Sequence, residues 1–149
     1  IGTAEIVHAA ARGEKITTIF VNNAIYGMTS GQMAPTTLLN QVTMTTPFGR
    51  KSETHGFPIR VSEMLSTLDG AVFLERVAVN DIKNIKNAKQ AIKKAFQVQI
   101  ANKGFSLVEV LSTCPTNWGL SPTEAIKWLE DNMMPHYPLG NFKGKDLEV

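Results

Sequence analysis

One stretch of sequence indicates the fold of this chain: Ile16-Thr17-Thr18-Ile19-Phe20-Val21-Asn22-Asn23-Ala24-Ile25-Tyr26-Gly27-Met28-Thr29-Ser30-Gly31-Gln32. The apolar run at its start, flanked by turn formers, predicts a buried β-strand. Amides and glycines follow directly, where open α/β sheets bind ligands and where glycine lets the backbone approach an anion. The stretch therefore predicts an α/β fold with a metal and phosphate site after this strand. Paired asparagines in such a position are also ordinary turn formers, which is the alternative.

The bulk composition limits the classes of protein to consider. A chain of 149 residues with 43% hydrophobic content can form a single domain, 1–149, with a real core. Its net charge of +2 is too small to indicate binding to nucleic acid or to a membrane surface, and no apolar run approaches the length of a membrane span. Its one cysteine excludes an internal disulfide and agrees with a cytoplasmic location.

Helices and strands alternate along the chain. The patterns predict a helix over 1–13 closed by a glycine, a strand over 16–21, a long ordered loop over 32–56 and a short helix over 60–68. Further strands are predicted over 71–77 and 105–111, a long helix between them, and a last helix beginning at Ser121. Strands separated by helices predict a parallel sheet with helices on both faces.

The long helix is capped by Asn80 or Asp81 and is expected to run to about Lys103. Six apolar residues spaced by three or four predict its buried face: Ile82, Ile85, Ala88, Ile92, Phe96 and Ile100. Its lysines are predicted to form a solvated surface rather than a binding site for RNA: Lys83, Lys86, Lys89, Lys93 and Lys94.

The loop after the first strand holds the candidate ligands. Asn23 is a metal-ligand candidate through its side-chain oxygen, and Ile25 through its backbone carbonyl, because residues two apart on a tight turn can face one ion. Asn22 is expected to orient the turn. The amides and hydroxyls around Gly27, Met28 and Thr29 would receive a phosphate group. Alternatively, Thr29 and Ser30 only cap the following turn, and Met28 only fills the core.

Cys114 directly follows the strand over 105–111, in the sequence Ser112-Thr113-Cys114-Pro115-Thr116-Asn117. A lone cysteine is usually a buried, inert hydrophobe, although cysteine followed by proline is also a frequent setting for an iron–sulfur ligand. His8, His55 and His136 show no metal-ligand spacing, and only His55 is a weak candidate for substrate contact. No catalytic residue is identifiable from the sequence.

The loop sequence from Asn22 to Thr37 resembles the cofactor loop in β subunits of 2-oxoacid:ferredoxin oxidoreductases, which are thiamine diphosphate enzymes. The similarity continues through 45–50, 112–118 and 137–140, so that it covers nearly the whole chain. Residues 114–118 and 137–140 look closer to the 2-oxoisovalerate and 2-oxoglutarate branches of the family than to its pyruvate branch. This resemblance implies a thiamine diphosphate-binding fold.

The resemblance also implies roles for particular residues. Asn23 and Ile25 would ligate the Mg²⁺ that bridges the cofactor's oxygens, and Gly27, Met28 and Thr29 would hold its diphosphate. Ile25 or Met28 would support the bent cofactor. Cys114 would complete the four thiolates of a [4Fe–4S] cluster. The family's Gly-Asp-Gly motif and Cys-x-x-Cys pair are absent here. We therefore expect a carboxyl-terminal portion of a longer subunit, which lacks the first strand and is inactive alone.

The implied reaction is oxidative decarboxylation of a 2-oxoacid to an acyl-coenzyme A, with reduction of ferredoxin. The implied partners are an α subunit carrying the carboxylate that activates the aminopyrimidine, and a γ or ferredoxin-like subunit. The loop over 32–56 is expected to be the most mobile region, because its contacts would be a cofactor and a partner. One alternative is a non-oxidative enzyme, such as a 2-oxoacid decarboxylase or an acetolactate-synthase-like subunit. Another is a non-enzymatic α/β binding module.

Overall fold

The computed structural model describes residues 2–148. In chain order the elements are α1 (Thr3–Ala11), β1 (Thr17–Asn22), α2 (Ser52–His55), α3 (Val61–Ser66), β2 (Ala71–Ala78), α4 (Ile82–Ile100), β3 (Phe105–Leu111), α5 (Pro115–Trp118), α6 (Pro122–Trp128), a π-helical segment (Leu129–Met133), α7 (Met134–His136) and β4 (Gly140–Lys143). The chain divides into two compact units. The first comprises Ile1–Val21, Val61–Val110 and Pro138–Val149, and the second comprises Asn22–Arg60 and Leu111–Tyr137. The predicted single domain over 1–149 stays a prediction.

The sheet has the strand order β1-β3-β2-β4. The amide of Ser106 donates to the Ile16 carbonyl at the start of the β1–β3 pair, and the amide of Ser112 donates to the Asn22 carbonyl at its end. Because the offset along the chain is the same at both ends, these strands run parallel. The predicted α/β class is therefore confirmed.

The strand β4 is an addition that the sequence did not predict. It pairs antiparallel with β2, with Leu74 opposite Lys143, which makes the sheet mixed. An antiparallel edge strand is common on an otherwise parallel sheet. At the opposite edge, β1 is only partly buried, with Val21 57% exposed. The prediction that β1 is a buried strand was wrong at Val21, because an edge strand has a neighbouring strand on one side only.

Helices cover both faces of the sheet, as predicted. On one face the small residues of α4 pack against β2 and β3, in a cluster of Phe73, Val77, Ala88, Ala91, Ala95, Val98, Val108 and Val110. On the other face α1 and α3 pack against the same strands, in a cluster of Ala10, Leu65, Ala71, Leu74, Phe105 and Leu107. Successive residues of β3 point to opposite faces of the sheet, so Val108 and Val110 lie in the first cluster and Phe105 and Leu107 in the second. Both faces of this strand are therefore covered.

The predicted buried face of α4 was wrong except at Ala88 and at Ile92, which is partly buried and packs against the first cluster. Ile82 is 74% exposed and Ile100 84% exposed, whereas the buried stripe consists of Ala88, Ala91, Ala95 and Val98. These small residues follow the same helical spacing, and they allow the helix axis to lie close to the strands. The lysines are exposed as predicted, except Lys94, whose Nζ donates to the carbonyls of Gly144 and Lys145.

A buried ion cluster connects β2, β3 and α3. Arg76 on β2 is fully buried, and its Nε donates to Glu109 on β3 at 2.8 Å. Its two terminal nitrogens donate to Glu63 on α3, and Nη1 also donates to the Pro138 carbonyl at 3.1 Å. Burial lowers the pKa of Arg76, but the hydrogen bonds and charges of the two glutamates outweigh it and raise the pKa above its ordinary value. The guanidinium therefore stays charged inside the core.

Replacing Arg76 by methionine should destabilise the protein by about 3–5 kcal/mol, because it leaves the fully buried Glu109 and the partly buried Glu63 without their cation. Arg12→Met is the matched control, since the Arg12–Glu14 pair lies on the surface at 2.7 Å and should contribute about 1 kcal/mol or less. Urea unfolding of both variants measures the difference. Equal losses of stability would contradict a structural role for the buried cluster.

The second unit has little regular structure in its first part. Within 22–60 the regular elements described are the end of β1 and the single helical turn α2. Its second part begins with α5 and continues into α6, whose predicted start at Ser121 is confirmed by a capping box with Glu124. Trp118 and Trp128 stack at 4.5 Å between ring centroids, and the Tyr137 hydroxyl donates to the Thr36 carbonyl at 2.7 Å. The loop and helices of this unit thus share one core.

Candidate cofactor site

The turn after β1 is stabilised by the side chain of Asn22. This residue is buried, and its Oδ1 accepts a hydrogen bond from the amide of Ala24 at 3.1 Å. Ala24 is itself buried and has φ of +56°, a conformation that an alanine adopts only when its surroundings require it. The role predicted for Asn22, orienting the turn, agrees with this geometry.

A threonine hydroxyl holds the turn from the other side. Thr37 Oγ1 donates to the Ala24 carbonyl at 2.7 Å and accepts from the Ala34 amide at 2.9 Å. Two other polar groups of the turn could ligate a metal. Within residues 2–148, neither the side-chain amide of Asn23 nor the carbonyl of Ile25 has a hydrogen-bond partner. These are the two groups predicted to ligate a metal.

The loop then closes on itself. The amide of Tyr26 donates to the Gln32 carbonyl, and the amide of Gly31 donates back to the Tyr26 carbonyl, both at 2.9 Å. Between these bonds, the amides of Gly27, Met28 and Thr29 have no acceptor in the described part of the chain. Three successive free amides on a short loop form a suitable site for an anion.

The side chains of this loop decide between the alternative roles. Met28 is fully exposed, so its alternative role as core filling was wrong. The Thr29 hydroxyl donates to Gln32 Oε1 within the same loop, so its alternative role in capping the turn stays a prediction. Ile25 has the opposite environment, since its side chain is 4% exposed and belongs to the core. Only its carbonyl is therefore in a position to meet a ligand.

Cys114 lies beside this loop. A Cβ placed on Gly27 would be 2.8 Å from the Cys114 sulfur, so glycine is required for the approach. The Nδ2 of Asn117 donates to the Gly27 carbonyl at 3.1 Å and to the Cys114 sulfur at 3.3 Å. The structure thus brings together two predicted features that are distant in sequence. Asn117 is a residue of the site that the sequence did not indicate, since nothing in its spacing distinguishes it.

Arg50 holds the long loop over 32–56, and sequence reasoning missed this role. It is 3% exposed, and its guanidinium donates only to backbone carbonyls, those of Ala34, Pro35, Thr37, His55, Gly56 and Phe57. Burial lowers the pKa of Arg50 below its ordinary value, while Tyr137 acts in the opposite direction. The expected mobility of this loop stays a prediction, although such a network favours an ordered loop.

Arg50→Met should release the long loop, because six carbonyls lose their common donor. We expect faster hydrogen exchange at the amides of Asn40 and Ile59, which bond to the carbonyls of Arg50 and Pro35. Lys51→Met is the control, since the exposed Lys51 makes a single bond to Asn40 at 3.3 Å. Unchanged exchange in the Arg50 variant would show that the loop is held by other contacts.

The residues of this site fit Mg²⁺ better than they fit an iron–sulfur cluster. Residues 16–49 contain no Asp, Glu, Lys, Arg or His. The loop can therefore bind a diphosphate only through uncharged polar groups. The oxygens of the Asn23 side chain and the Ile25 carbonyl are of the type that Mg²⁺ prefers. For an iron–sulfur cluster this sequence supplies one cysteine, and no group of three His, Cys, Asp or Glu side chains converges among residues 2–148. The remaining thiolates of such a cluster would have to come from outside these residues.

The fold and this loop are those of a cofactor-binding α/β domain. Residues 1–110 match the family described as thiamine pyrophosphate enzyme, C-terminal TPP binding domain. The chain therefore belongs to this family, and its cofactor is thiamine diphosphate, which is the same compound as thiamine pyrophosphate. None of the helices described for 2–148 is both long and apolar enough to cross a membrane.

Proteins with similar sequences agree with the resemblance drawn from the motifs. The ketoisovalerate oxidoreductase subunit VorA of Methanothermobacter thermautotrophicus is 46% identical over 149 residues, which are 100% of this chain and 31% of VorA. The 2-oxoglutarate synthase subunit KorB of Archaeoglobus fulgidus is 34% identical over 132 residues, covering 89% of this chain and 45% of KorB. The chain thus spans less than half the length of these relatives.

A solved structure has the same fold. It is the 2-oxoglutarate:ferredoxin oxidoreductase from Magnetococcus marinus with 2-oxoglutarate, coenzyme A and succinyl-CoA bound. The match has a TM-score of 0.69 at 25% identity and covers 87% of this chain and 40% of that one. The predicted thiamine diphosphate-binding fold is confirmed by this likeness and by the family match.

Proposed function

We propose that this chain is the thiamine diphosphate- and Mg²⁺-binding part of a 2-oxoacid:ferredoxin oxidoreductase subunit. The observation that carries the proposal is the set of polar groups in the cofactor loop without protein partners. The Asn23 amide and the Ile25 carbonyl are the metal ligands, and the amides of Gly27, Met28 and Thr29 hold the diphosphate. These groups are adjacent on one loop, so a bound metal and diphosphate could pair all of them together.

The neutral loop explains why a metal is needed. A diphosphate carries several negative charges, and no cationic side chain occurs between residues 16 and 49. A divalent cation bound by Asn23 and Ile25 would neutralise part of that charge without any lysine or arginine in the loop. Two neutral ligands alone bind Mg²⁺ weakly, so a charged ligand from outside this chain would complete the site. That residues 1–149 alone bind thiamine diphosphate weakly or not at all, and are inactive, stays a prediction.

The cofactor supplies the carbanion chemistry, and the protein supplies its position. Asn22 and Thr37 fix the turn, so that the Asn23 and Ile25 oxygens can face the same ion without rearrangement. The exposed Met28 lies at the tip of the loop, where it would cover the bound cofactor and exclude water from it. The carboxylate that activates the aminopyrimidine would belong to the partner α subunit.

Cys114 is the residue through which this chain would bind a [4Fe–4S] cluster. It is half-buried, and its sulfur accepts a hydrogen bond from an amide, as cluster ligands commonly do. Its position beside Gly27 would place the cluster ligand next to the diphosphate loop. This arrangement favours the oxidative enzyme over a non-oxidative decarboxylase or an acetolactate-synthase-like subunit, neither of which needs such a ligand.

The names of the relatives suggest the substrate. VorA acts on ketoisovalerate and the KorB proteins on 2-oxoglutarate, so we infer a 2-oxoacid, with the branched acid favoured by the higher identity. Its oxidation would form an acyl-coenzyme A and reduce ferredoxin, directly or through a γ or ferredoxin-like subunit. We infer a cytoplasmic complex that binds neither nucleic acid nor a membrane. A non-enzymatic binding module is the less favoured alternative, because the relatives are enzyme subunits.

Asn23→Ala should weaken the binding of Mg²⁺ and thiamine diphosphate by on the order of tenfold in the complete complex, because a metal ligand is lost. Asn132→Ala is the matched control, since Asn132 is exposed in the same unit and bonds only to the Trp128 carbonyl at 3.0 Å. Calorimetric titration of both variants measures the change. Equal affinities would remove Asn23 from the metal site.

Cys114→Ser should change the iron–sulfur cluster while thiamine diphosphate binding is largely kept, because a hydroxyl is a poor substitute for a thiolate. We expect the cluster's visible absorption and its EPR signal to be lost or altered in the complete complex. Ser112→Ala, two residues earlier, controls for local disturbance of the strand end. A wild-type cluster spectrum together with full ferredoxin reduction would reduce Cys114 to a packing residue.

A further inference from the structure

The side chain of Asn117 contacts three parts of the site at once. It lies in α5, and its Nδ2 donates to the Gly27 carbonyl at 3.1 Å and to the Cys114 sulfur at 3.3 Å. A side-chain amide nitrogen carries two hydrogens, so both bonds can be made together. Asn117 thus joins the cofactor loop to the cysteine through a single group.

Two glycines of the cofactor loop are shaped around this side chain. A Cβ on Gly27 would be 3.3 Å from Asn117 Nδ2, and a Cβ on Gly31 would be 2.8 Å from Asn117 Oδ1. Gly31 also has φ of +85°, which disfavours any other residue. The two glycines lie at either side of the free amides of Met28 and Thr29. Asn117 therefore packs against both ends of the turn that contains these amides.

We propose that Asn117 is a positioning residue, which fixes the diphosphate loop and the Cys114 sulfur relative to each other through its one amide group. The part of this proposal that concerns the sulfur rests on the proposed function, in which Cys114 ligates a cluster. The part that concerns the loop rests on the hydrogen bond to Gly27 and on the packing against Gly31. No contact between Asn117 and the cofactor is needed for either.

Two measurable consequences follow. A loop that is already ordered loses less conformational freedom when the cofactor binds, so removing Asn117 should lower the affinity for thiamine diphosphate. An N–H group that donates to a ligand sulfur stabilises the added electron, so removing it should shift the cluster to a lower reduction potential. A side chain that only fills space would not produce the second effect when it is replaced by one of equal volume.

The test uses Asn117→Leu, which keeps the approximate volume and removes both donors, in the complete complex. We expect about a three- to tenfold weaker affinity for thiamine diphosphate, which corresponds to the loss of one net hydrogen bond. We also expect a lower cluster potential in an EPR-monitored redox titration. Asn132→Leu, at an exposed position of the same unit, is the matched control and should change neither quantity.

Asn117→Asp is the second variant, for use if the leucine variant does not fold. It keeps the shape of the side chain but places an oxygen against the Gly27 carbonyl and the Cys114 sulfur, so both effects should be at least as large. Wild-type affinity and wild-type potential in a folded Asn117 variant would overturn the proposal. Failure of the wild-type complex to bind thiamine diphosphate would instead overturn the proposed function, which keeps the two outcomes distinct.

Discussion

The hydrogen bond from the Ala24 amide to the Asn22 side chain is the interaction on which the candidate site depends. It is worth about 1 kcal/mol by itself, but it holds Ala24 in a left-handed conformation that alanine otherwise avoids. The resulting turn directs the Asn23 amide and the Ile25 carbonyl away from the protein's own donors. One buried side chain therefore sets the position of both proposed metal ligands.

In the second unit, some polar groups stabilise the loop through hydrogen bonds, and others have no protein partner and could bind a ligand. Arg50, Thr37 and Asn117 together satisfy carbonyls and amides throughout the loop and its neighbours. Three successive amides without a partner, those of Gly27, Met28 and Thr29, lie on the same short loop as the Asn23 amide and the Ile25 carbonyl. Their adjacency is the physical argument for a ligand, because successive N–H groups on a tight loop form an anion-binding concavity. In the proposed site a metal ion would neutralise part of the charge of the diphosphate, because residues 16–49 contain no charged side chain.

Much of the fold was predictable, because it follows from local patterns. The three parallel strands, the capped start of α6 and the end of α1 near Gly13 all have short-range signals in the sequence. The buried face of α4 was not predictable in this way. Its isoleucines and its alanines both follow helical spacing, and only the close approach of the helix to the sheet selects the smaller residues. The strand β4 is four residues long, which is too short for its pattern to be recognised.

The candidate site was likewise only partly predictable from the sequence. Asn22, Asn23 and the glycines of the loop could be recognised because they are adjacent in sequence. Arg50 and Asn117 could not, since their partners are backbone groups contributed by separate segments, and only the folded chain shows which carbonyls converge on them. The proximity of Cys114 to Gly27 is likewise a product of tertiary packing. Sequence thus indicated the groups proposed to bind the ligand better than the groups that position them.

The most direct measurement is a crystal structure of the complete complex with thiamine diphosphate and Mn²⁺ in place of Mg²⁺, in which anomalous scattering marks the metal. We predict that the metal is bound by the Asn23 side-chain oxygen and the Ile25 carbonyl, with diphosphate oxygens accepting from the amides of Gly27, Met28 and Thr29. A metal bound elsewhere, or a diphosphate that does not contact these amides, would contradict the assignment of the cofactor loop.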